Sequence, residues 1–456
     1  MLRLPLICLL IFFLTLPLLA QEVDTAWVRR YNGPGNAEDS ACAIAIDNSG
    51  NVYVTGASYG WGTGEDYATI KYYPDGDTAW VRRYNGTGDL TDEAFDIAVD
   101  GFGDVCVTGW SFDSETSLDY TTIKYYSNGD TAWVRRYNGT GNSWDKPSAV
   151  AIDGSGNVYV TGVSVGSGTN ADFVTVKYDK NGNELWVMRY NGPGDSIDMA
   201  QSIALDGSGN VYVTGTSISS KTYFDFATIK YDKNGKEVWG RRYNGPGNSE
   251  DAPCSIVIDG FGSIYVAGWS TGYGTDYDYA TIRYDQNGNE LWVKRYNGSS
   301  NGRDTPCGMA VDGSGNIYVT GWSYDSLTYI DYATIKYDQN GNELWIGRYN
   351  GLENDWDQAC AIAVDGAGDV FVTGHSWCGL ETYRDYATVK YDPDGKIAWV
   401  RTYNGISSKL DWAYAIAIDV FGNVYVTGKS DSSGKYPADY TTIKYAPISH
   451  DLNKKR

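Results

Sequence analysis

The chain has 456 residues, a hydrophobic fraction of 42% and a formal net charge of −21. So acidic a surface repels phosphate backbones and anionic lipid heads, which excludes nucleic acid and bilayer surfaces as partners. Its charges are interspersed, as on a solvated globular surface rather than in an acidic tail.

Residues 1–20 carry one early charge, Arg3, then an apolar run from Leu4 to Leu19, and end at Ala20 before the polar Gln21 and Glu22. This reads as a secretory signal peptide cut after Ala20. No later run approaches the roughly 18 apolar residues of a membrane span. The expectation is a soluble monomer, secreted or periplasmic, with no membrane insertion once the signal is removed. Cys42, Cys254, Cys307 and Cys360 each stand 15 residues after a repeated Trp, where the other copies carry Phe95, Ser148, Gln201 and Tyr414. A place that accepts Phe and Tyr is a packing position, so these cysteines read as free thiols. There is no CxxC or Cys/His cluster to bind zinc.

The motif WVRRYNG at Trp27–Gly33 recurs with its Trp at 80, 133, 186, 239, 292, 345 and 399, six intervals of 53 residues and one of 54. A period of this size signals units that bury their apolar faces only against neighbours. Within the first unit, Ala41 to Asp47, Asn51 to Ala57, Asp66 to Tyr72 and Thr78 to Tyr84 alternate apolar and polar residues and are rich in Val, Ile, Thr and Tyr. That pattern predicts four β-strands, and no stretch after residue 20 has helical periodicity.

Two connections per unit are tight hairpins, Asp47 to Asn51 and Pro74 to Asp77; the other two, Ser58 to Glu65 and Asn32 to Ser40, vary between copies. In a four-stranded meander both variable connections fall on one edge, which predicts one variable face. Four-stranded units repeated around an axis make a β-propeller, with a linear β-solenoid as the rival architecture. The chain begins with a Trp strand (Thr25 to Tyr31) and ends with the strand that normally precedes one (Asp439 to Tyr445), so the first strand completes the last unit. The prediction is an all-β, eight-bladed propeller of four-stranded antiparallel blades over residues 24–445, followed by a tail at 446–456.

The run MAVDGSGNIYVTGWS from Met309, followed by DYATIKYDQNGNELW from Asp331 and echoed in every copy, resembles the β-propeller repeat of secreted bacterial proteins, the SBBP type, with NHL-like blades. The resemblance implies an innermost AIAVD strand and an outermost Trp strand. It also implies the seven-bladed alternative, since that family is usually described with seven, and an extracellular scaffold or binding role with no single activity.

Asp47 and its equivalents enter the first hairpin, where a carboxylate accepts turn N–H groups. A second ring, Asp39, Asp92, Asp145, Asp198, Asp251, Asp304, Asp357 and Asp411, precedes each inner strand on the variable face, near the Asp that opens DYATIKY. Paired carboxylates suit a hard cation such as Ca²⁺ or acid/base chemistry. Eight equal sites suit architecture better, so the expectation is no cofactor, the Asp capping loop N–H groups and the Arg before each repeat Tyr neutralising some of them.

Eight tryptophans lie outside the repeat position: Trp61, Trp110, Trp144, Trp269, Trp322, Trp356, Trp377 and Trp412. All are placed by the sequence in or at the edge of variable-face connections, with His375 and Lys429 standing where other blades have Trp110, Trp269 and Trp322. Aromatics with polar tips suit stacking on sugar rings or gripping a peptide. With two His in the chain and no nucleophile elbow, catalysis has little support. The functional expectation is a non-catalytic scaffold binding a glycan or an extracellular protein through its variable face. A propeller hydrolase or lyase acting on polysaccharide through Asp carboxylates is the alternative, and a purely structural surface protein is a third.

Overall fold

Alternating Val, Ile and Tyr on short segments punctuated by Gly turns leaves each segment apolar on both faces at its centre, so the sheets must stack face to face. The computed structural model describes residues 23–219, 222–380, 382–432 and 438–447. The signal peptide expected at 1–20 and the tail beyond 447 lie outside the described residues. Eight four-stranded antiparallel sheets form a closed ring, with no helix among the described residues. Strand β1 (Val23–Tyr31) stands apart from the first sheet. Blade 1 consists of β2 (Asp39–Ile46), β3 (Val52–Tyr59), β4 (Glu65–Tyr72) and β5 (Thr78–Tyr84). Strands β6 to β29, over residues 92–403, build blades 2 to 7 in the same order. Blade 8 is β30 (Asp411–Ile418), β31 (Val424–Asp431) and β32 (Ala438–Pro447), completed by β1 as its outer strand.

The ring therefore has eight blades and not seven. Its clasp is slightly longer than the sequence suggested: β1 pairs with β32 from Val23↔Pro447 to Tyr31↔Tyr440, so the strands span 23–447. Inner strands from neighbouring blades line a central channel, and each carries a bulge, as between Ala41 and Ala43.

WVRRYNG recurs because its Trp and its arginines tie neighbouring blades together. The Trp80 indole is 7% exposed and packs against Tyr53 of its own blade and Tyr125 of the next, while its Nε1 donates to the Ser127 carbonyl at 3.2 Å. Arg82 Nε donates to the Gly129 carbonyl at 2.6 Å. Gly129 has φ +89°, and a Cβ there would sit 2.8 Å from the Trp80 ring, so the hairpin beneath the indole admits only glycine. Tyr84 meets Tyr67 edge to face at 5.6 Å.

The six described cysteines are free. Cys42 and Cys307 occupy the bulge, and their thiols donate to Ala94 and Ala359 in the following blades at 3.1 and 3.0 Å. Ser148 does the same to Ala200 at 2.9 Å, so the position holds hydrogen-bond donors as well as packing groups. Burial pushes the Cys254, Cys360 and Cys378 thiols up to about 12. In the native state a disulfide-exchange reagent should therefore label these thiols at least ~10-fold more slowly than in the unfolded chain, as expected when thiolate is scarce. Half-exposed Cys378 should react first; six thiols reacting at the unfolded rate would contradict this packing.

Candidate functional site

The variable face is built on two carboxylate rings whose oxygens serve the backbone. Each Asp of the inner-strand ring is 1% exposed or less. The Asp39 Oδ2 accepts Gly33 N–H at 2.6 Å and its Oδ1 accepts Tyr59 N–H at 3.1 Å, so one side chain caps both variable connections of its blade. The same Gly bond recurs at Asp92, Asp145, Asp198, Asp251, Asp304, Asp357 and Asp411. Burial pushes these carboxyls up against the hydrogen bonds that hold them down, to about 6 at Asp304 and Asp357.

The second ring is matched by arginines. Asp66 Oδ2 takes Arg83 Nη2 at 2.7 Å, and Arg83 Nη1 reaches Tyr31 Oη of the preceding blade at 3.1 Å. Equivalent ion pairs join Arg30, Arg136, Arg189, Arg242, Arg295 and Arg348 to Asp439, Asp119, Asp172, Asp225, Asp278 and Asp331 at 2.7–3.4 Å. Blade 7 departs from this pattern because Thr402 replaces the arginine. Among the described residues its Asp385 has no ion-pair partner, and burial raises its carboxyl to about 6 against a hydrogen bond from the Cys378 thiol. Cys378 stands where blades 1, 3 and 5 have Gly60, Gly166 and Gly272; its thiol donates to Ser376 O at 3.6 Å, a carbonyl of the kind that Arg83 takes in blade 1. Among the described residues no group of three or more His, Cys, Asp and Glu is arranged to hold a metal.

The aromatic residues divide into separate groups. Trp61, 84% exposed, projects from a loop of blade 1. Trp144 and Trp356 also lie in connections. Trp110, Trp269 and Trp322 lie within second strands, Trp377 ends one, and Trp412 is the second residue of an inner strand. This corrects the placement of Trp110, Trp269 and Trp322, because their strands run on past the Thr-Gly or Ala-Gly that marked their ends in the sequence, while Trp377 and Trp412 stand at strand edges. Trp110 packs on Phe95 under Lys146 Nζ, beside a channel cavity of about 460 Å³ that Lys146, Ser148, Val163 and Gln201 help line. Trp269 stacks on Tyr277 at 4.1 Å, and Arg303 covers the tyrosine. Trp377 meets Tyr383 edge to face.

Among the described residues, blades 6 to 8 gather these groups into a continuous arc. Tyr324 touches Tyr329, and Tyr329 touches Trp356 at 5.9 Å. The Arg384 guanidinium carbon lies 4.9 Å over Trp356 and 5.4 Å over Trp412, between the two indoles. His375 stacks on Trp412 at 5.2 Å with 16° between the planes, and Lys429 Nζ is 5.1 Å from the same ring. His375 is 4% exposed, and burial, with the charge of Arg384 nearby, lowers its pKa to about 3. Arg384 was not singled out by the sequence reading. Its signal was there: the place is held by Glu65, Leu118, Ala171, Phe224, Tyr277, Ile330 and Ala438 in the other blades, none of them a cation.

The opposite face also varies, contrary to the one-face expectation. Hairpin tips that carry Ser or Ala in the other blades expose Phe102, Phe261 and Phe421 in blades 2, 5 and 8.

Residues 132–168, 185–220, 291–327 and 401–435 match the SBBP family model, described as a beta-propeller repeat. An uncharacterized WD repeat-containing protein, L264 of Acanthamoeba polyphaga mimivirus, is 25% identical over 237 residues, 45% of this chain; the match spans 14% of that protein's length. Among solved structures, the polysaccharide lyase Uly1 is similar at a TM-score of 0.48 and 10% identity, over 77% of this chain and 89% of that one. A protein of unknown function from Dyadobacter fermentans is similar at a TM-score of 0.40 and 11% identity, over 66% and 94%.

Proposed function

The chain carries SBBP-type beta-propeller repeats, and from that scaffold we propose that it is a secreted, non-catalytic protein that binds a glycan through its variable face. The observation that carries this reading is the arc over blades 6 to 8, where Trp356, Trp412 and Tyr329 stand with polar neighbours on a rigid ring of strands. Indole and phenol rings offer large contact area at small entropic cost and stack on the apolar faces of sugar rings. In seven of the eight blades the paired carboxylates that a hydrolase or lyase would use are engaged by backbone N–H groups and by an arginine, which supports binding over turnover there.

A glycan array probed with the full mature chain tests this. The expected result is micromolar binding to a restricted set of oligosaccharides, weakened ~10- to 100-fold in Trp412→Ala, the loss of about 1.4 to 2.8 kcal/mol expected of one central aromatic contact. Replacing Trp61, which stands outside the arc, should leave binding unchanged. No glycan bound, or equal binding by wild type and Trp412→Ala, would remove the proposal. Capture of a specific extracellular protein with the same Trp412 dependence would move it to the protein-binding reading.

A further inference from the structure

Three side chains of the arc, Arg384, Lys429 and Trp412, offer hydrogen-bond donors and no acceptor. The Arg384 guanidinium carbon lies over both the Trp356 and the Trp412 rings, and its five N–H donors make no hydrogen bond and meet no carboxylate within ion-pair distance among the described residues. Asp355 lies near enough to favour its charge without pairing with it. Beside it, His375 is buried with neither ring nitrogen hydrogen-bonded by a protein group, and the Trp412 Nε1 is likewise buried and unpaired. Lys429 adds a second cation over Trp412, held by Glu38 at 2.7 Å. A buried donor without an acceptor, such as the Trp412 N–H, is costly, and an unpaired guanidinium matches two-oxygen anions bidentately.

Resting on the glycan-binding reading, we infer that this arc selects anionic sugars: the ligand carries a carboxylate or sulfate that sits on the edge of Arg384 while a sugar ring stacks beside Trp412. Elsewhere on this face the arginines of the Asp66 ring are spent on their own carboxylates. Arg303, the other arginine among its aromatics, is paired with Asp276 at 3.3 Å. Arg384 is thus set apart by chemistry as well as place. An anion here works against the overall negative charge of the protein, so selection depends on short-range contacts and not on long-range attraction.

Calorimetric titration of the full mature chain with four oligosaccharides tests the inference: oligogalacturonate, its neutral methyl ester, a sulfated dextran oligomer and plain dextran. The expected result is that oligogalacturonate or the sulfated oligomer binds at least ~10-fold more tightly than its neutral counterpart. Which of the two does so identifies carboxylate or sulfate as the anion. Arg384→Gln should erase that preference, and Arg384→Lys, which keeps the charge but loses the planar edge, should restore it in part. Near-UV circular dichroism of both variants reports whether Trp356 and Trp412 keep their packing. If an acid and its neutral counterpart bind equally to wild type, anion selection is wrong while glycan binding stands. If none of the four binds, and none does on the wider array, the glycan reading itself fails. Tight binding of a polyglutamate peptide with no sugar bound would overturn the inference in favour of an acidic protein partner.

Discussion

Removing β1, residues 23–31, should lower the melting temperature by about 10 °C or more and broaden a single unfolding transition into a multistep one. Nine residues of that strand close blade 8 by pairing along β32. Without them the Asp439 to Tyr445 segment becomes an open sheet edge, and the face of the last blade loses Trp27, which is 7% exposed and packed against Tyr72 and Tyr425 at 5.9 Å. Trp27→Ala alone should cost about 3 to 5 kcal/mol, as for other large-to-small changes at buried aromatics. In a chain of this length that is a shift of about 3 to 6 °C. The loss extends beyond one blade, because Arg30 also pairs with Asp439 and Trp27 Nε1 donates to Pro74 O in blade 1. A permuted chain with residues 23–33 moved to follow Pro447 through a short Gly-containing turn should recover the stability, since Val23 and Pro447 are paired neighbours. Equal melting curves for the intact and truncated chains would show that the ring does not depend on this clasp.

That closure was legible in the sequence because it depends on repeat order alone: the first copy of the Trp strand comes before the first inner strand, and the eighth set of inner strands comes without a Trp strand of its own. Strand number, blade number and the inner and outer positions followed from periodicity, which acts on the backbone. The candidate site was legible in its ingredients but not in its grouping. His375 and Trp412 are 37 residues apart and Trp110 and Lys146 are 36 apart. Both pairs join a second strand to the inner strand of the next blade, an offset that no pattern within one repeat displays. Scanning each repeat against its successor at that spacing would have found them. Arg384 escaped because its place tolerates Glu, Leu, Ala, Phe, Tyr and Ile, so it looked like an unconstrained strand start. Cys378 escaped for a related reason: its meaning depends on Thr402, in another strand of the same blade.

Stability should rise as pH falls from 7.5 to about 4.5 and decline only below about pH 3.5, an order set by the two kinds of buried carboxylate. Burial raises Asp96, Asp304, Asp357 and Asp385 to about 6, above their range in an unfolded chain. A carboxyl raised in this way binds a proton more readily folded than unfolded, so its stabilising contribution is complete below about pH 4 and is lost as pH rises through about 6. The hairpin carboxylates run the other way. At Asp47, Asp153, Asp206 and Asp312 burial pushes upward, but hydrogen bonds from the Asn side chain, the turn backbone and the buried Tyr outweigh it. Their contribution is present above about pH 4 and disappears as pH falls below it. Asp385 is the sharpest probe because no arginine compensates it. Asp385→Asn keeps the shape and removes the charge, so it should stabilise the protein by about 2 to 3 kcal/mol at pH 7.5, taking 1.36 kcal/mol per unit, and by almost nothing at pH 4. Urea unfolding of both proteins at the two pH values measures this directly. A variant less stable than wild type at pH 7.5, or a gain of equal size at both, would mean that Asp385 is held ionised by a partner such as the Cys378 thiol, and the neutral-pH cost assigned to blade 7 would be wrong.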